Sequence, residues 1–374
     1  MIPLLIELFL LAVVVQLYFI LFVYPKLISY PSPTLESSNA EGVSVVVCAW
    51  NEKENLQELL PILDKQDYAN FEVIIVDDRS WDGTYDLLLT ELKGFSHCRF
   101  LRVENTPEHL SSKKYALTLG IKSAKYTTIL LTDADCRPQT NRWIRAMMGA
   151  LTPDKDIVLG FSPYFKEGNT FLSGFISYET FITAMQYLSF ALVGKPYMGV
   201  GRNLLYRKSV FMKNRGFASH THVLGGDDDL FMNEVANTEN TTICLDSDSF
   251  VYSFPKTSWE DWYRQKRRHL SVGKYYTTRN KFLLGILASS QIFYWVCFFA
   301  LLPIFWNSYF VWGLAGLLLV RLVALWMVYA KINSRLSNTV QTITIPFWDF
   351  CLSLYFLIMG INNAIPRRKK MRWR

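Results

Sequence analysis

The sequence predicts a doubly wound α/β domain held to a membrane by apolar helices at both ends. Three observations carry this reading. β-branched runs alternate with helical stretches between about residues 43 and 132. Nearly uncharged segments flank the region on either side. Two of the strand-like runs close on paired carboxylates, Asp77-Asp78 and Asp133/Asp135, at the strand ends where such sheets bind ligands.

The first element is a membrane anchor over residues 1–24. From Ile2 to Val23 only Glu7 is charged. At about 1.5 Å per residue this segment is roughly 33 Å long, enough for a bilayer core of about 30 Å. A secretory signal would have a basic start, a shorter apolar run and a small-residue cleavage site. All three are missing, so an uncleaved anchor is expected.

Residues 25–281 have the mixed composition of a globular domain. Val43 to Ala49 reads as a strand buried on both faces, followed by a helix over about Glu54–Lys65. Phe71 to Asp78 is a second strand, and Ser80-Trp81-Asp82-Gly83-Thr84 turns into a helix near Tyr85–Leu92. A strand over Arg99–Val103, a helix over Lys113–Ser123 and a strand over Thr127–Thr132 complete the series. The domain ends in a basic, aromatic-rich helix from Trp259 to Tyr276, of the kind that lies on a membrane surface.

Residues 282–365 hold the C-terminal membrane segments. Phe282 to Ala330 is long enough for two spans with a turn near Pro303–Ser308. Thr342 to Ile365 carries Pro346, Asp349 and Asn362-Asn363, and is expected either to span or to re-enter. A basic tail covers residues 366–374. Lys26 and the run from Arg264 to Lys281 place the domain on the cytoplasmic side of a cell (inner) membrane by the positive-inside rule. The net charge of +7 then suits anionic lipid and requires no nucleic acid.

Composition also excludes. The six cysteines form no CxxC pair or zinc spacing, which fits a reducing compartment. No GxGxxG follows the first strand, which argues against a dehydrogenase, and no P-loop is present. What remains is carboxylate chemistry. Asp133 and Asp135 at a strand end can share a hard divalent cation with a diphosphate. Asp227-Asp228-Asp229 can supply a carboxylate that takes a proton from a hydroxyl, since adjacent like charges raise at least one pKa. Such a set suits an enzyme that moves a group off a nucleotide diphosphate.

Four stretches stand in a recognisable order: Val45 to Glu52; Val76 to Thr84; Lys113 with Ala116-Leu117; and Asp133-Ala134-Asp135. The series resembles the family 2 glycosyltransferases, whose Rossmann-like domain has the GT-A fold, over about residues 43–270. The resemblance implies a membrane-bound, inverting, hexosyltransferase-type enzyme with Mg2+ or Mn2+ as cofactor. A nucleotide-diphosphate sugar would be the donor, and a lipid or lipid-linked glycan the acceptor.

Roles follow from the same resemblance. Asp78 would hold the nucleoside, and Lys113 would lie near the diphosphate or base. Asp135 would bind the metal, with Asp133 touching the metal shell or the donor sugar. Gly225 to Asn233 is similar to the GDD segment of hyaluronan- and chitin-type synthases, which makes Asp228 the catalytic base. Gln265 to His269 resembles the QxxRW motif. On a helix Gln265, Arg268 and His269 would share a face, with Arg268 forked onto diphosphate oxygens. His269 replaces a tryptophan that usually stacks on an acceptor sugar, which favours a lipid acceptor over a growing glycan. A processive polysaccharide synthase is the alternative within the class, and a non-catalytic membrane scaffold the alternative outside it.

Overall fold

The computed structural model describes residues 2–31, 41–108 and 110–364. The chain divides into two compact units. One comprises Pro31–Ser173 and Phe190–Tyr276; the other comprises Met1–Tyr30, Gly174–Ser189 and Thr277–Arg374.

The first unit is built on a mixed sheet. Its strands are β1 Val43–Ala49, β2 Phe71–Asp78, β3 Cys98–Val103, β4 Thr128–Asp133, β5 Cys136–Pro138, β6 Ile157–Leu159, β7 Leu204–Arg207, β8 Thr241–Ile243 and β9 Val251–Ser253. Seven of them pair in the order β3-β2-β1-β4-β7-β6-β8, while β5 and β9 form a separate ribbon. From β3 to β4 the strands are parallel. β7 then runs antiparallel to both β4 and β6. The parallel half matches the sequence expectation, strand by strand, to within a residue or so.

Burial explains the parallel half. Val43, Val45, Val46, Val47, Val73, Ile74, Ile75, Ile129 and Leu130 have no exposed surface, as expected of strands covered on both faces. The helix Lys53–Asp64 lays Leu56, Leu59, Leu60 and Leu63 against the sheet, a 3.6-residue stripe. Each such leucine contributes about 1.5–3 kcal/mol through burial. On the helix Ser112–Ser123, Gly120 packs so tightly that a Cβ would stand 2.6 Å from Val46 and 2.9 Å from Val76. Register does the positioning: Ala49 pairs with Asp77, and Cys48 with Asp133, so the acidic ends of β2 and β4 flank the end of β1.

In the second unit, four helices are long and apolar enough to cross a membrane: Ile2–Ser29, Thr278–Ile304, Phe310–Arg335 and Thr342–Asn362. The two middle helices fit the pair expected within 282–330. The last carries Asp349 among the polar features that leave spanning and re-entry both open. Here Asp349 is buried and paired with Arg321, Nη1 to Oδ2 2.7 Å, while Gln291 Nε2 donates to its Oδ1 at 2.9 Å. Gln16 from the first helix accepts from Arg321 at 3.1 Å, so one polar knot ties all four helices. Partnered in this way, the charge no longer opposes an apolar setting.

The unit boundaries differ from a single domain over 25–281. Gly174–Ser189, the body of the helix Phe171–Leu192, belongs with the apolar helices. Gly174 explains part of this, since a Cβ there would stand 2.6 Å from the Trp348 ring. Its apolar residues lie all around the helix, without the one-sided pattern of a surface helix. The tail 366–374 lies outside the described residues.

Candidate active site

The loops after β1 and β2 are locked to each other. Asn51 and Arg79 each adopt φ 58°, turning the chain sharply at the strand ends. The Asn51 amide donates to Ser80 Oγ at 2.8 Å, and the Trp81 amide donates to Asn51 Oδ1 at 3.0 Å. Asp77 Oδ1 accepts from the Ser80 amide at 3.2 Å. Its Oδ2 is buried with no partner among the described residues. Asp78 is buried and engaged by Arg79, Nε to Oδ1 2.8 Å.

Next to this floor stands a cluster of opposite charges. Lys113 Nζ lies 3.1 Å from Asp133 Oδ1 and 3.0 Å from Asp227 Oδ2, so one ammonium joins two acidic motifs far apart in the chain. Burial works to lower the Lys113 pKa, but Asp133, Asp227 and Asp228 outweigh it and hold it well above the usual value. Asp227 is the counterpart. Burial raises its pKa, yet Lys113 dominates and leaves the carboxyl below its ordinary range.

Asp133 and Asp135 stand ready for a cation. One ligand atom each from Asp133, Asp135 and Cys136 lies within 4.8 Å of the others. Cys136 is a poor donor to it, because burial and then Asp135 and Asp133 drive its thiol pKa far up. The donors are therefore carboxylate oxygens, the set that suits Mg2+ or Mn2+ rather than zinc. Burial and the Asp133 charge raise the Asp135 pKa, since two neighbouring carboxylates repel.

The third acidic segment is shaped by backbone. Gly225 and Gly226 adopt φ 85° and 78°, a region costly for other residues, and so lift the chain into the site. The loop before them is fastened from below by Lys114, whose Nζ donates to the carbonyls of His220 and Val223 at 2.7 and 3.1 Å. Asp228 is the N-cap of the helix Asp229–Val235, its Oδ1 accepting from the Asp229 amide at 2.7 Å. Its Oδ2 accepts from the Gly201 amide at 2.8 Å. Burial and the neighbouring Asp227 raise the Asp228 pKa. Asp229 accepts from Tyr276 Oη at 2.9 Å, and burial with the Asp228 charge pushes it up to about 8.

The helix Trp259–Val272 brings its motif to the same region. Gln265 Nε2 lies 3.5 Å from Tyr164 Oη. His269 is exposed on this helix. Solvent reaches it, yet surrounding protein and the charges of Lys266, Arg268, Arg202 and Lys113 push its pKa well below the usual value. Arg268 is half-buried on that face.

The structure thus gathers Lys113, Asp133, Asp135 and Asp228, with His269 within the field of Lys113 and Gln265 on the Tyr164 edge. Asp78 lies at the end of β2, engaged by Arg79. Asp227, expected only as one of three adjacent carboxylates, joins them as a partner of Lys113, and Tyr164 and Arg202, without a role of their own in the sequence expectation, pack against each other nearby. The Gly201-Arg202 pair lies between Gly199 and Arg207, and only strand pairing gives it a location.

Comparison with known proteins follows this geometry. Residues 44–215 match the family model described as glycosyl transferase family 2. A stretch of 100 residues is 32% identical to a poly-beta-1,6-N-acetyl-D-glucosamine synthase of Staphylococcus epidermidis, covering 27% of this chain and 23% of that one. Another of 121 residues is 30% identical to the glycosyltransferase GlyG of Streptococcus pneumoniae, covering 32% of this chain and 39% of that one. The chain therefore spans well under half the length of these curated relatives. Among solved structures, the mannosyltransferase PcManGT of Pyrobaculum calidifontis, in complex with GDP-Man and Mn2+, superposes with a TM-score of 0.57. That match covers 95% of this chain and 98% of the other at 16% identity, a likeness of fold.

Proposed function

We propose, for a chain that carries a family 2 glycosyltransferase domain of the GT-A fold and four helices able to cross a membrane, that it transfers a sugar from a nucleotide-diphosphate sugar to a hydroxyl of a membrane lipid or lipid-linked glycan, with inversion. The observation that carries this reading is Asp228, held by two backbone amides beside the Lys113 cluster with a raised pKa.

In this reading Asp228 takes the proton of the acceptor hydroxyl as its oxygen bonds to the anomeric carbon. The bond from that carbon to the diphosphate breaks in the same displacement, which inverts the centre. Lys113 and Arg268 meet the charge that collects on the departing diphosphate. Asp133 and Asp135 would hold a divalent cation, which supplies Lewis-acid stabilisation of that leaving group. Asp78 orients the nucleoside, and Gln265 and His269 border the acceptor side.

A lipid acceptor is supported by the four apolar helices. The cytoplasmic side is supported by Lys26 and by the basic run from Arg264 to Lys281. If Thr342–Asn362 crosses fully, the tail emerges opposite the domain. Labelling of a cysteine placed in the tail, on sealed vesicles, decides between crossing and re-entry. A processive synthase is the second reading, favoured by the likeness to the poly-beta-1,6-N-acetyl-D-glucosamine synthase.

The test uses purified protein in lipid nanodiscs, a panel of nucleotide sugars, Mg2+ or Mn2+, and a membrane-lipid extract. Release of nucleoside diphosphate that vanishes in Asp228→Asn, with one sugar on one lipid, supports the reading. A ladder of products moves it to the synthase. Wild-type protein that neither binds nor turns over any donor leaves a scaffold.

A further inference from the structure

Arg202 precedes β7, whose direction decides where the side chain sits. Leu204 pairs with Leu131 in an antiparallel register, so the residues just before Leu204 run alongside the end of β4, where Asp133 and Asp135 begin. The preceding residue, Gly201, holds Asp228 through its amide. Arg202 is therefore placed between the carboxylate pair and the candidate base.

Its guanidinium touches neutral groups, while the Asp135 and Asp133 charges act on it from beyond ion-pair distance. The guanidinium carbon lies 4.6 Å from the centre of the Tyr164 ring, whose hydroxyl meets Gln265. Nη2 donates to the Ser162 carbonyl at 3.2 Å. Among the described residues, Nη1 is shut off from solvent and has no hydrogen-bond partner. Among the described residues no carboxylate lies within ion-pair distance of Arg202. An arginine oriented by a ring and a carbonyl, with a donor left over, is prepared for an anionic oxygen. Leaving such a donor unsatisfied is costly, so the group fits a role realised when substrate is bound.

We propose that Arg202 binds a phosphate oxygen of the bound substrates, carried either by the donor diphosphate or by a phosphorylated lipid acceptor. This deepens the glycosyltransferase reading and rests on it for the identity of the ligand, though not for the presence of an anion site. Arg202 faces the end of β4 from the antiparallel half of the sheet, whereas Lys113 and Arg268 approach from helices. The anion would thus be gripped from a third direction.

The experiment compares wild type with Arg202→Gln and Arg202→Lys, both in nanodiscs, and a thermal melt first establishes that each variant is folded. Calorimetry with Mn2+ measures binding of pyrophosphate, UDP and GDP. Transfer kinetics compare a phosphorylated long-chain alcohol with the same alcohol unphosphorylated. A tenfold or larger loss of pyrophosphate binding in Arg202→Gln, with partial recovery in Arg202→Lys, assigns the donor diphosphate. Unchanged pyrophosphate binding with a tenfold rise in KM for the phosphorylated alcohol alone assigns the acceptor phosphate. Variants that are folded and match wild type in both assays overturn the proposal. Arg202-dependent pyrophosphate binding in a protein that turns over no nucleotide sugar would sustain the anion site while rejecting the glycosyltransferase reading.

Discussion

The amide of Gly201 donates to Asp228 Oδ2 at 2.8 Å, tying the approach to β7 to the cap of the helix Asp229–Val235. With the Asp229 amide on Oδ1, both oxygens of the candidate base are oriented before any substrate arrives. A carboxylate held in this way needs little reorganisation to receive a proton.

Asp228→Asn keeps the capping acceptor and removes the base. Transfer should fall by about 10²–10⁴, while the affinity for nucleoside diphosphate with Mn2+ stays close to wild type. Measuring kcat alongside calorimetric binding separates the two effects. A parallel loss of binding would mean that Asp228 serves the donor instead.

Acidity should limit the rate in a defined direction. The base must be ionised, so activity appears as pH rises through the raised Asp228 pKa, above the ordinary carboxylate range. The Lys113 charge lowers that pKa. In Lys113→Gln the anion loses this support, and the acid limb of kcat should move to higher pH, beyond any drop in the plateau. A limb that stays put, or moves down, would separate Lys113 from the base.

Asp135→Asn should abolish high-affinity Mn2+ binding, because Asp133 is already paired with Lys113 and cannot hold the ion alone. Titration of Mn2+ followed by electron paramagnetic resonance reads this without any donor. Chelation should stop wild-type transfer, and added Mn2+ should restore it. Undiminished Mn2+ binding in the variant would move the cation elsewhere.

Arg321 and Asp349 should behave as one unit. Removing either alone, as Arg321→Ala or Asp349→Ala, leaves a buried charge and should destabilise by about 3–5 kcal/mol. Replacing both, as Arg321→Met with Asp349→Leu, should cost far less than the two single changes together. Unfolding curves in nanodiscs test this. Additive losses would show that the pair, though 2.7 Å apart, is not coupled.

Local pattern was enough to read the strands from β1 to β4. Their buried runs are long, and Asp77, Asp78 and Asp133 mark where they end. Motif order likewise singles out Lys113, Asp135 and Asp228 as candidates, and the fold places them near one another. The other half of the sheet was harder, because β5, β6, β8 and β9 have three residues each and β7 has four, too few to display a period.

What the sequence determined by itself was the class of domain, the apolar flanks and the acidic residues proposed to carry the chemistry, since each depends on neighbours in the chain. Tertiary structure alone decided which charges meet. It set Lys113 between Asp133 and Asp227, turned β7 against β4 so that Arg202 runs alongside the strand end that carries Asp133, and gave Asp349 its arginine. A carboxylate in a sequence has no fixed pKa or partner. Both come from burial and from charges that only the folded chain brings within a few ångströms.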